Sequence, residues 1–278
     1  EAPASLAVFN HAIVYVPALD LWLDGTAEWS GSDELPVSDR GAEVLVVDEN
    51  GGEFRRIPEA PASLSSTLAR HAIALEADGS ARIGGERRIR GLGAPGYRRA
   101  YASPNGRKAS FEQAWARTFP GATVTRLEMS DPTRIEEEVR FDFGIEVPGY
   151  ADRLDGERLA FRPFGRARSW VESLAPVSSR RLPLVLDHAF EERYDFTYTL
   201  PAGYEVEHLP TGGRVQSPFG SATLELEARD GTIVARGSMA VEVARVAPDD
   251  YPAFRAFLGE VDALFGGRVV LRRTPVAL

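Results

Sequence analysis

Cysteine is absent from the 278 residues. That removes disulfides, thiolate metal sites and any thiol nucleophile from this chain. Lysine is nearly absent: Lys108 is the only one among 32 basic residues. The arginine bias reads as codon usage in a GC-rich genome rather than as phosphate chemistry. No apolar run approaches the ~20 residues needed to span a bilayer, so no membrane helix is expected. Positive charge is in deficit, with 41 acidic against 32 basic residues and a net charge of −9. That is the wrong sign for a general nucleic-acid binder. There is no low-complexity tract and no clear internal repeat. The chain opens on Glu1 rather than Met and shows no signal peptide pattern, which leads us to expect a piece of a longer protein.

Hydrophobic residues make up 44% and charged residues 26%, as in an ordinary globular protein. The length suits two domains, or one with an appendage. It suffices to bury roughly 70–75% of the unfolded surface without help from metal or disulfide.

Most of the chain reads as short strands between turns. Residues 8–16 and 21–24 predict a hairpin turning at 17–20, followed by an irregular stretch over 25–41 and a strand at 44–47 closed by the turn 48–52. Residues 68–90 predict a second hairpin around Asp78-Gly79. Phe111, Ala114, Trp115, Thr118 and Phe119 recur at helical spacing, predicting a helix over 110–119 with Ser110 as N-cap and Gln113 completing a capping box. Strands fit 122–129, 135–145 and 157–163. Past an aperiodic stretch at 165–183, Phe190, Tyr194, Phe196 and Tyr198 share one face of a strand. We read that stripe as core rather than a carbohydrate or peptide platform, because four exposed rings exceed the apolar patch of an ordinary monomer. Strands at 203–209, 214–218, 222–229 and 232–245 follow. A helix over 250–265 with Pro252 in its first turn and Gly266-Gly267 at its end comes next, and then a strand at 268–272. The expected fold is α+β and β-dominated. Short antiparallel strands form two sandwich-like modules with one short helix each, 48–176 and 177–278, preceded by a β-hairpin unit over 1–47.

The candidate chemistry lies at the N-terminus. In the 8–16/21–26 hairpin, position i pairs near 37 − i. His11 then faces residue 26, with Asp24 diagonal to it and within side-chain reach. A carboxylate there would fix the imidazole tautomer and stabilise the imidazolium, leaving the other ring nitrogen to serve a nucleophile. A lone histidine on an apolar strand is more often a satisfied structural residue.

The segments FNHAIVYVP (9–17) and LWLDGTAEW (21–29) resemble the end of the transglutaminase-like, papain-type thiol core, in which a Cys helix is followed by a His strand and an Asp strand. The resemblance implies His11 as general base and Asp24 as its orienting carboxylate, with Trp22 and Thr26 in support. The Cys and its helix are not in this chain, and the match covers only about the first 45 residues. The patterns LPAGYEVEHLP (200–210), SPFG (217–220) and DYPAFRAFL (within 249–258) are similar to the β-rich C-terminal extensions, of unknown function, of large bacterial proteins of this kind. The implied partners are an upstream catalytic-core segment of the same parent chain and a protein or peptide substrate, with no nucleic acid and no membrane span. A periplasmic or cell-envelope location is favoured over the cytoplasm.

The remaining motifs read as bland. His71, His188 and His208 lack metal-ligand spacing, so no metal and no cofactor are expected. Glu136-Glu137-Glu138 reads as the solvated edge of a strand. Gly91 to Gly96 resembles a dinucleotide loop but lacks a following helix and carries Pro95. The arginine pairs 87/88, 98/99, 180/181 and 272/273 read as solvated faces. Two functions stay open. One is the C-terminal part of a Cys-His-Asp acyl-transfer or amide-hydrolysing protein, inactive alone. The other is a non-catalytic β-sandwich binding module for a protein or glycan at the cell envelope.

Overall fold

The computed structural model describes residues 9–49, 51–165 and 169–274. The beginning of the expected 8–16 strand and Asn50 of the expected 48–52 turn lie outside them. The fold is α+β and β-dominated, with four short helices.

The first strands are β1 (Val14–Val16) and β2 (Leu21–Leu23), paired with Tyr15 opposite Trp22. The register follows the 37 − i rule, but the ladder is shorter than predicted, and His11 lies just before β1. The turn is a 3-10 turn at Pro17–Leu19 closed by Asp20 at φ 48°. Aspartate tolerates that conformation because its short side chain bonds locally; here its carboxylate accepts the Tyr15 hydroxyl at 2.8 Å. A second hairpin joins β3 (Glu43–Asp48) to β4 (Gly51–Arg56).

Eight strands build the main sheet. Four come early: β5 (Ser66–Leu75), β6 (Ala81–Arg90), β7 (Thr123–Met129) and β8 (Val139–Val147). Four come late: β12 (Phe190–Thr199), β14 (Gly213–Ser217), β15 (Gly220–Arg229) and β16 (Thr232–Val241). Their order is β14-β15-β16-β12-β5-β6-β8-β7. A four-stranded sheet, β13-β18-β10-β9, brings together β9 (Asp152–Arg153), β10 (Arg158–Phe161), β13 (Tyr204–His208) and β18 (Val269–Arg273). The strands β11 (Leu184–Val185) and β17 (Arg245–Val246) pair by themselves. Strands from either side of the boundary expected at 176/177 thus share both larger sheets. The join in the main sheet is the parallel pairing of β12 with β5, from Glu191 opposite Ser66 to Thr199 opposite Ala74.

The helices are α1 (Ala94–Ala100), α2 (Pro104–Ala116), α3 (Trp170–Leu174) and α4 (Tyr251–Phe265). The predicted 110–119 helix begins earlier, at Pro104 after Ser103. Proline at the first position loses no intrahelical bond, so Ser110 is interior and not a cap. The helix α1 was not expected. It follows Gly91 at φ 67°, where a Cβ would run into the Leu64 carbonyl, so this glycine serves close packing. Glu136 to Glu138 lie in a turn before β8, not in a strand.

One buried cluster lies between the main sheet, α2 and the four-stranded sheet, with Phe111, Phe141, Phe143, Phe161, Phe196 and Tyr198 among its members. A second gathers α3 and α4 over β14, β15 and β16. The stripe on β12 is core, as read from its period: Phe196 and Tyr198 are buried, and Phe190 and Tyr194 are half-buried against the two clusters. Charged side chains of the main sheet pair along their own strands, Arg88 with Glu86 at 2.6 Å and Arg140 with Asp142 at 3.0 Å, and across strands, Arg70 of β5 with Glu86 of β6 at 3.6 Å and with Asp195 of β12 at 3.7 Å. Among the described residues no helix is long and apolar enough to cross a membrane.

Candidate functional site

His11 Nε2 lies 3.2 Å from Asp24 Oδ2. The hairpin brings the two side chains together although His11 itself is off the ladder. The ring remains open to solvent while the carboxylate is nearly enclosed, with side-chain exposures of 39% and 6%. The other Asp24 oxygen is occupied: Oδ1 accepts the Thr26 amide and the Thr26 hydroxyl, each at 2.8 Å. Two donors on one oxygen fix the carboxylate plane and turn Oδ2 toward His11. Burial pushes the Asp24 pKa up, but the two Thr26 bonds and the His11 ring outweigh it and hold the carboxyl below its ordinary range. Trp22, opposite Tyr15 in the ladder, packs its ring 4.3 Å from that of Tyr15. Arg55 of β4 lies over the Tyr15 ring, 5.3 Å from its centroid.

The 25–41 stretch that follows the hairpin is fastened to the rest of the fold by Arg98, whose pair 98/99 reads from sequence as a solvated face. Arg98 is 1% exposed, because α1 carries it inward against the 25–41 stretch. Its guanidinium pairs with the buried Glu34 carboxylate through both terminal nitrogens and donates to the Trp29 carbonyl at 2.8 Å and the Glu137 carbonyl at 2.9 Å. Glu34 also accepts the Gly31 amide at 2.8 Å. Such a pair survives burial only because its donors and acceptors are so fully used. A cleft of about 560 Å³ beside it is lined by Asp33, Arg90, Ser130, Glu136 and Arg140, and by neither His11 nor Asp24.

A third group at the dyad was missed. Asp39 offers a carboxylate oxygen within 4.8 Å of both His11 and Asp24. It comes from the aperiodic 25–41 stretch, where neither period nor motif marks a residue. His71 and His188 stand elsewhere, among aromatic rings. The arrangement as a whole can hold an imidazole in one tautomer and leave Nδ1 for a partner.

Residues 157–271 match the family model of a domain of unknown function of solved structure, DUF3858. The match begins at β10, ahead of the boundary expected at 177, which agrees with β10 pairing to β18. No curated protein matches this chain. Among solved structures it is similar to a crystal structure from Parabacteroides distasonis titled "putative protease", with 14% identity and a TM-score of 0.45. That likeness covers 94% of this chain but only 35% of the other.

Proposed function

We propose that this chain is the C-terminal portion of a transglutaminase-like protein whose parent carries out acyl transfer or amide hydrolysis through a Cys-His-Asp triad. The observation that carries the reading is the His11–Asp24 pair, with Thr26 locking the carboxylate. Asp24 accepts the Nε2–H of His11 and leaves Nδ1 to take a proton from a nucleophile. The charge that then develops on the ring faces a carboxylate held in its ionised form. The nucleophile must come from the upstream core, since this chain has no cysteine, and a base without a nucleophile transfers no acyl group. The β-rich remainder would position substrate or partner.

The test is expression with and without the upstream segment. The chain alone is expected to turn over no peptide, amide or amine-acceptor substrate. Joined to its upstream core it should, and His11→Ala should then lower kcat by at least ~10²-fold, the usual contribution of a general base. Undiminished turnover in His11→Ala, or none in the joined protein, would overturn this reading and favour a non-catalytic module that binds a protein or glycan.

A further inference from the structure

The neighbour of the dyad poses a physical problem. Asp39 is 9% exposed, yet its Oδ2 has no hydrogen-bond partner among the described residues. Its other oxygen accepts only the adjacent Ser38 hydroxyl, at 3.2 Å. A buried carboxylate oxygen left without a donor is costly, and native structures rarely tolerate one unless an ion or water completes it. Two carboxylates beside one imidazole also concentrate negative charge.

We propose that His11, Asp24 and Asp39 form a binding site for a divalent transition-metal ion of the zinc type. Each residue offers one ligand atom, and the three atoms lie within 4.8 Å of one another. A tetrahedral ion with bonds of ~2.0–2.1 Å sets its ligands ~3.3 Å apart. The His11 Nε2 to Asp24 Oδ2 distance of 3.2 Å already fits one edge of that figure, and Asp39 supplies the third corner. The supporting bonds are also present: Thr26 saturates Asp24 Oδ1 and aims Oδ2 at the ion, as the outer partners of metal ligands do. One imidazole and two carboxylates suit Zn²⁺ better than Ca²⁺ or Mg²⁺, which prefer all-oxygen sites. The exposed His11 ring leaves a way in and a fourth position for water. The ion would sit where the Nε2 proton sits, so metal binding and the His11–Asp24 hydrogen bond exclude each other. This inference stands apart from the acyl-transfer reading. It is read by metal uptake in the chain as it is, and failure of either leaves the other standing.

Zinc sulfate titrated calorimetrically into the full chain should bind one ion per molecule, with Ca²⁺ and Mg²⁺ binding far more weakly. His11→Ala and Asp39→Asn should each weaken Zn²⁺ at least tenfold. Asp20→Asn, in the neighbouring turn and outside the cluster, should leave it unchanged. Circular dichroism checks that each variant folds; should Asp39→Asn not fold, the open His11 ring keeps the test intact. No Zn²⁺ uptake by the native chain, or uptake that His11→Ala leaves unweakened, overturns the proposal.

Discussion

His71 shows how far one residue's surroundings can move its chemistry. Its ring stacks on Phe196 with centroids 4.0 Å apart and is walled by Phe143 and Trp115. Across the ladder stands Gly85, where any Cβ would strike the Phe143 ring. Burial, helped by the charge of Arg87, lowers the His71 pKa from 6.5 to about 3. The unfolded chain therefore takes up a proton below 6.5 that the folded chain refuses until about 3, so stability falls as pH drops through that window. The slope is at most about 1.4 kcal/mol per pH unit. His71→Phe should flatten the urea-midpoint profile between pH 6 and 4, and a profile as steep as the native one would contradict this. Asp24 acts in a separate window. Its folded pKa is depressed, so its stabilisation is complete above the ordinary value of 3.8 and is lost as pH falls through the lower folded value.

At the scale of the element, α4 carries the late half of the chain. Tyr251, Phe254, Phe257, Leu258 and Val261 are all buried, on the face that meets β14 and β15. Its Asp262 reaches out to α3, accepting the Ser169 hydroxyl at 2.9 Å and the Trp170 amide at 2.6 Å. A carboxylate at a helix start satisfies donors that have no partner within the helix. Phe257→Ala should cost about 3–5 kcal/mol, by lost transfer energy plus a cavity. Arg255 makes a poor surface control, because its Nε donates to the Ala175 carbonyl at 3.3 Å. Glu260, on the exposed side of the helix, replaces it, and Glu260→Ala should shift stability by less than about 0.5 kcal/mol. Equal midpoints for the two variants in denaturant unfolding would remove α4 from the core.

For the whole molecule the decisive contact is the parallel pairing of β12 with β5. The stretch that matches the DUF3858 model, 157–271, contains β12 but not β5. Cut out alone, residues 157–271 would leave the β12 edge facing β5 unpaired and partly uncover Phe196, which stacks on His71, and Tyr198, which packs on Tyr150. Re-exposing one such ring costs roughly 1.5–3 kcal/mol, and a bare edge strand invites pairing between molecules. The excised segment should therefore melt below the intact chain or aggregate, while the intact chain melts in a single transition seen alike by tryptophan fluorescence and circular dichroism. An excised segment as stable as the whole would show that the sheet join contributes little.

What the sequence determined by itself was whatever depends on neighbours in the chain. The period of Phe190 to Tyr198, the Asp78-Gly79 turn, the α4 stripe and the spacing of His11 and Asp24 about the turn at 17–20 are all local patterns, and each appears in the structure where it was read. Contacts between distant segments left no such trace. Arg98 reads as one of several surface arginine pairs until α1 turns it onto Glu34, and Asp39 reads as loop until the 25–41 stretch carries it to the dyad. The continuous sheet was equally hidden, because a parallel pair of strands separated by more than a hundred residues is specified by mutual burial of side chains and not by any turn between them. Local periodicity therefore reported the elements and the dyad, while tertiary packing alone chose their neighbours, enclosed the Arg98–Glu34 pair and set a second carboxylate beside His11.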